Sequence, residues 1–155
     1  MSSIVPVRAA LVPASQSSIA KVDRLTAEML KMPQLQFVTE HMIHAGMYTR
    51  TLFFPADTLC TAVFFKIPTV IIIVGRADIF SNDDVISVDG YTVVPGSAGR
   101  KIAVWARSRI GASMIFPTKA RTVEEAQEEF TDEVELLRPA VREGQASDSD
   151  YGRVT

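Results

Sequence analysis

A single cysteine, Cys60, stands in the whole sequence, so no disulfide framework can staple one chain. It lies in the apolar alternation Thr58-Leu-Cys-Thr-Ala-Val63 and reads as a small buried hydrophobe. Basic charge is not in excess either. The net charge is −2 with 22% charged residues, which excludes the general basic surface of a nucleic-acid binder. No apolar run approaches the roughly 20 residues that a membrane helix needs. The opening residues, Met1-Ser-Ser-Ile-Val-Pro-Val-Arg8, lack the charged start and continuous apolar core of a signal peptide. The expectation is a soluble protein of a reducing compartment, with no direct nucleic-acid or membrane partner. At 155 residues, one domain can bury most of its chain surface without staples.

What is present is a dense store of branched apolar residues. Pro68-Thr-Val-Ile-Ile-Ile-Val-Gly75 carries five in a row, Val70 to Val74, between a proline and a glycine. Such side chains are stiff at χ1 and disfavour a helix. A run apolar at every position predicts a short strand buried on both faces. In an antiparallel sheet only alternate residues face the domain's own core. One of the sets Val70/Ile72/Val74 and Ile71/Ile73 therefore needs cover from a further layer of the chain or from a partner subunit.

Around this run the chain divides into four stretches: 1–47, an arm, helix and lead-in; 48–117, a β region; 118–142, a helix; and 143–155, a polar, helix-poor tail. The arm carries Ile4, Val5, Val7, Leu11 and Val12 among prolines and reads as extended chain resting on another surface. Residues 15–31 predict a helix capped by Ser17 or Ser18, with Ile19, Val22, Leu25, Met29 and Leu30 at helical spacing. Glu40-His41-Met42-Ile43-His44 invites a metal reading through His41, His44 and Glu40, for which a further protein ligand is needed. Gly46 and the extended pattern around it argue against the helix that would converge the two imidazoles, so the histidines read as structural or surface groups.

From residue 48 the texture becomes short β-type runs, at 48–54, 58–65, 69–74, 76–80, 85–88, 91–94, 101–106 and 112–116. Turn residues such as Pro55-Ala-Asp57, Asp89-Gly90 and Pro95-Gly96 separate them. About eight such strands predict a mainly β sandwich, jelly roll or small barrel. Thr122-Val-Glu-Glu125 is a capping box, and Ala126, Phe130, Val134 and Leu137 mark the apolar face of a helix ending before Pro139 and packed back on the barrel.

Two segments together resemble the cupin jelly-roll superfamily: Pro55 through Gly75, and Gly90-Tyr-Thr-Val-Val-Pro-Gly-Ser-Ala-Gly-Arg-Lys101. In that family the first motif runs from a glycine through a His-x-His pair and a glutamate to a closing glycine. The second has a glycine, then Pro-x-Gly, then a histidine. The resemblance places the His-x-His pair near Phe65 and Ile67, the glutamate near Ile71 and the last histidine near Arg100 or Lys101. None of these side chains can ligate a metal. The resemblance thus implies a barrel stripped of the family's metal-dependent chemistry, and no cofactor is expected. The chain further resembles small cupin-like proteins of bacteriophages and prophages, through Phe116-Pro-Thr118 and the acidic helix from Thr122 to Ala126.

The function this implies is non-enzymatic: a structural or assembly protein, such as a capsid cement, decoration or accessory protein of a phage virion, made in the host cytoplasm. Its partners would be further copies of itself or other capsid proteins. The expected interface holds Val70, Ile71, Ile72, Ile73 and Val74, with Ile4, Val5 and Leu11 of the arm. The alternative is an enzyme or small-molecule binder that uses the barrel mouth, where Phe65 and Ile67 line a cup and Arg100 and Lys101 hold an anionic ligand.

Overall fold

The computed structural model describes residues 9–137. Ile4, Val5 and the tail at 143–155 lie outside the described residues, as does the end expected for the last helix. The elements in chain order are α1 (Gln16–Met29), β1 (Val38–His44), β2 (Met47–Phe54), β3 (Thr58–Thr61), β4 (Thr69–Val74), β5 (Ala77–Ser81), β6 (Asp84–Val88), β7 (Tyr91–Gly96), β8 (Ala103–Ala106), β9 (Ile110–Pro117), α2 (Val123–Phe130) and α3 (Val134–Leu137).

The strands form a five-stranded sheet in the order β1-β2-β9-β4-β7 and a four-stranded sheet in the order β3-β8-β5-β6. Every ladder is antiparallel. The pairs β2/β9, β3/β8, β4/β7 and β5/β6 nest inside one another along the chain, as when one long hairpin is wrapped into two facing sheets. That nesting is a jelly roll. The mainly β expectation is met, with β1 as a ninth strand that the sequence reading left out. β1 turns into β2 through Ala45 and Gly46 at φ 52° and 73°, a two-residue hairpin turn with both centres left-handed.

Between the sheets sits a core that includes Phe54, Ile73, Ile79, Val94, Ile102 and Ile110. The arm joins it: Leu11 is 1% exposed, bridges Gly96 in parallel and exchanges backbone hydrogen bonds with Pro95 and Ser97. The expected interface role of Leu11 is thereby corrected, because its bed is its own barrel. A second, aromatic cluster closes one end, where Tyr48, Phe65 and Phe116 gather around Phe130 of α2. The C-terminal segment does pack back on the barrel, through Ala126 and Phe130, both 0% exposed.

Three expectations need correction. Ser15 rather than Ser17 or Ser18 caps α1, its hydroxyl accepting from the Ser18 amide at 3.2 Å. The C-terminal helix is two pieces, because Thr131 is extended (φ −150°, ψ 150°) and its hydroxyl accepts from the Glu133 amide. This break lets the Phe130 carbonyl accept from the Lys66 amide at 2.8 Å and turns Glu133 inward. Finally, β3 ends at Thr61 and β8 starts at Ala103, both shorter than expected; beyond them the two segments stay joined by separate backbone bonds, Ala62 N–H to the Ile102 carbonyl and Phe65 N–H to the Arg100 carbonyl, rather than by a continuous ladder.

The strand β4 keeps its predicted bounds. Register places Ile71 opposite Met114 and Ile73 opposite Ala112, on the inner face with the core residues of β9. Val70, Ile72 and Val74 face outward. Among the described residues the expectation of burial on both faces is not met, since Val70 and Val74 remain 46% and 50% exposed.

Candidate functional site

Arg100 and Lys101 follow the β7 turn and both are buried, at 1% and 2% exposure. Neither stands at a rim. The Arg100 guanidinium lies over the Phe65 ring, 3.9 Å from its centroid. Its other face presses on Gly96, where any Cβ would come within 2.7 Å of Cζ. It donates to the carbonyls of Ser97 (3.0 Å) and Ile67 (3.4 Å) and to the Thr69 hydroxyl (2.6 Å). Burial pushes its pKa down to about 10, which leaves it charged at neutral pH. Stacked and bonded in this way, Arg100 ties β7 to the approach of β4, with its Nε–H buried against Gly96 and left without a partner.

Lys101 is spent differently. Its ammonium donates to both Glu133 oxygens at 2.9 Å and pairs with Asp23 of α1. Glu133 also accepts from the Phe64 amide at 2.7 Å. Burial works against the charged ammonium, but its hydrogen bonds to Asp23 and Glu133 outweigh it and hold the pKa above the ordinary lysine value. One buried lysine thus pins the N-terminal helix, the barrel and the C-terminal segment together. The anion-binding role expected of Arg100 and Lys101 is corrected to a structural one, for which Phe65 supplies the stacking face and Ile67 a backbone carbonyl.

The weak metal alternative fails on strand parity. His41 pairs with Arg50 and points to the inner face, whereas Glu40 and His44 pair with Thr51 and Met47 on the outer face. A His-x-x-His spacing that converges on a helix diverges on a strand. Among the described residues no group of three or more His, Cys, Asp or Glu side chains is arranged to hold a metal ion.

A polar group that the sequence reading missed lies on the inner face of β1 and β2. Tyr48 is 0% exposed, and its hydroxyl meets His41 Nδ1 at 2.7 Å. Arg50, two residues along the same face, is 8% exposed, and its charge acts on the Tyr48 phenol. Burial, then the Arg50 charge, lowers the His41 pKa, with Glu124 pulling weakly the other way. Burial raises the Tyr48 pKa against the pull of Arg50. From the facing sheet, Cys60 comes close enough to feel the same charge, yet burial pushes its thiol up to about 11. All three neighbours of Arg50 are therefore neutral at pH 7. The signal in the sequence was an arginine at the inward parity of a strand whose other inward residues are Tyr48, Leu52 and Phe54.

The outer faces of the sheets differ. On the five-stranded sheet, register turns Met47, Thr49, Thr51 and Phe53 of β2 outward, with Ser113 and Ile115 of β9 beside Val70, Ile72 and Val74 of β4. Tyr91, Val93 and Pro95 of β7 complete the face. Across these four strands no outward residue is charged. Tyr91 is 70% and Val93 44% exposed. On the four-stranded sheet α1 lies across the outer face, with Val22 and Leu25 over Leu59 and Ala103, leaving a mainly apolar groove of about 330 Å³ toward Phe80. The helix that could have covered β4 thus covers the other sheet.

No family model matches this chain, and no curated protein matches it. Among solved structures, it is similar to a cupin superfamily protein from Desulfitobacterium hafniense (16% identity over 60% of this chain and 87% of that one, TM-score 0.48). It is also similar to the cupin-2 domain of an XRE family transcriptional regulator from Enterobacter cloacae (11% identity, 54% and 99% covered, TM-score 0.44). A salicylate 1,2-dioxygenase mutant from Pseudoaminobacter salicylatoxidans matches at 9% identity over 75% of this chain and 36% of that one, with a TM-score of 0.49. Among the described residues no helix is long and apolar enough to cross a membrane.

Proposed function

We propose that this chain is a non-enzymatic assembly subunit that associates through the outer face of its five-stranded sheet. The observation that carries the reading is the uncharged apolar face of β2, β9, β4 and β7, with Val70, Val74, Tyr91 and Val93 all more than two-fifths exposed. Burying one such aliphatic side chain is worth about 1.5–3 kcal/mol, so several together outweigh a substantial ordering cost. A face without charge is complementary to itself, which favours a second copy over a partner of opposite charge. The virion form of the proposal, a capsid cement or accessory protein, adds the phage-like segment from Phe116 to Ala126 as its support. The barrel-mouth alternative loses its anion-holding pair, since Arg100 and Lys101 are both committed inside the chain.

Light scattering on the purified chain tests the reading. The expected result is an oligomer that Ile72→Asp converts to a folded monomer, while Asp at the inward Ile71 disrupts folding instead. A wild-type chain that stays monomeric at high concentration, and binds no assembled shell, sinks the proposal.

A further inference from the structure

Among the described residues three cationic side chains are buried, Arg50, Arg100 and Lys101, and two of them have evident compensation, although the Arg100 Nε–H is left without a partner. Lys101 has two carboxylates, and Arg100 has three oxygen acceptors and an aromatic face. Arg50 has neither. Among the described residues no carboxylate forms an ion pair with it, and its near neighbours Tyr48, His41 and Cys60 are neutral. Moving an ionised group out of water costs several kcal/mol unless a counter-charge or a full set of hydrogen bonds compensates. The sequence had a cheaper choice, because the inward positions on either side, Tyr48 and Leu52, are a phenol and an aliphatic residue.

The arrangement has the elements of an anion receptor. Arg50 stands in the middle of β2, opposite His41 of β1 on one side and Met114 of β9 on the other. Tyr48 adds a hydroxyl on the same face, and His41, exposed at the edge strand, leaves the cluster open to solvent on that side. We propose that Arg50, with the Tyr48 hydroxyl and His41, binds a carboxylate on the inner face of β1 and β2. A planar monoanion matches the fork of a single guanidinium, which grips two oxygens at once. A phosphate dianion would remain under-neutralised by this one cation. The apolar neighbours Met114, Leu52 and Ile43 favour a carboxylate carried on an apolar body over acetate. Two sources share this chemistry: a free carboxylic acid, or the chain's own Glu143, Asp148 and Asp150. This site is independent of the outer sheet face, so it stands or falls apart from the assembly reading.

The chain holds only two histidines, His41 on the inner face and His44 on the outer, which makes one the reporter and the other the control. The experiment titrates benzoate, and separately acetate, into the full chain while following both imidazole signals by NMR. The expected result is a saturable shift at His41 alone, with benzoate the tighter ligand. Arg50→Gln should abolish it. Arg50→Lys should weaken it about ten-fold, because an ammonium cannot grip both oxygens. If the wild-type chain does not respond but Glu143→Gln/Asp148→Asn/Asp150→Asn binds benzoate, the site is confirmed and its native occupant is the chain's own tail. No saturable His41 shift in either chain overturns the proposal. So does equal response of both histidines, or unchanged affinity in a folded Arg50→Lys.

Discussion

The two sheets meet the same requirement in opposite ways. Both present apolar residues outward, and among the described residues only one is covered by its own chain. On the four-stranded sheet, polar anchors decide the cover: Thr26 of α1 donates to the Thr61 hydroxyl at 2.7 Å, Lys21 reaches Asp83 at 3.3 Å and Asp23 joins the buried Lys101. The outer face of β2, β9, β4 and β7 offers no charged anchor, and its Thr51 and Ser113 hydroxyls bond each other at 2.7 Å. An amphipathic helix gains similar free energy from any apolar sheet face, since burial is non-directional. Hydrogen bonds and buried ion pairs need particular partners, and they selected the side on which α1 lies.

Four expected outcomes break or sharpen this contrast. The largest is for Lys101→Met, which leaves Asp23 and Glu133 facing each other without their cation. Breaking a buried pair costs about 3–5 kcal/mol, so chemical denaturation should show a loss of that order. A loss below about 1 kcal/mol would mean that Lys101 does not pin the terminal elements. The second concerns pH. The Lys101 pKa is raised in the folded chain, so its contribution is complete below the ordinary value of 10.5 and is lost as pH climbs above it. Wild-type stability should fall steeply on that alkaline side, and Lys101→Met should flatten the fall. Equal slopes in the two proteins would contradict the pairing.

Thr26→Val is smaller. It removes one hydroxyl bridge between α1 and β3 and leaves Thr61 unpaired, for an expected loss of about 1 kcal/mol. Hydrogen exchange should rise in α1 and not in β4. The smallest is Val70→Thr on the bare face, where the native side chain is 46% exposed and the folded monomer should lose no more than about 0.5 kcal/mol. A large loss of monomer stability there would show that the chain itself covers this face, and would end the contrast between the sheets.

The sequence reading was most accurate where a local pattern has a single physical solution. The bounds of β4 follow from a proline, a glycine and a branched run between them. The cap at Thr122 follows from its spacing to Glu125, whose amide donates to the threonine at 3.2 Å, although the Glu125 carboxylate reaches the Arg121 amide instead of the cap's own. It was least accurate where identity and burial part company. Arg100 and Lys101 read as rim cations because charged side chains are seldom fully buried. Arg50 passed unnoticed because its parity matters only once β2 is known to present Tyr48, Leu52 and Phe54 inward. β1 was overlooked because its Glu40 and Met42 break the alternation expected of a half-buried strand.

By itself, then, the sequence determined the strand-rich class, the alternation that divides Ile71 and Ile73 from Val70, Ile72 and Val74, and the two helices flanking the barrel. Each of these is set by neighbours within a few positions, through side-chain branching, turn chemistry and capping. Only the tertiary structure decided which sheet α1 covers, which buried cation meets a carboxylate and which meets none among the described residues, and that His41 and His44 point apart. Those outcomes depend on contacts between residues tens of positions distant, such as Asp23 with Lys101 and Lys101 with Glu133. Coulombic and hydrogen-bonding energies act over a few ångströms of space, and no local spacing records which groups the nested pairing of strands brings within that range.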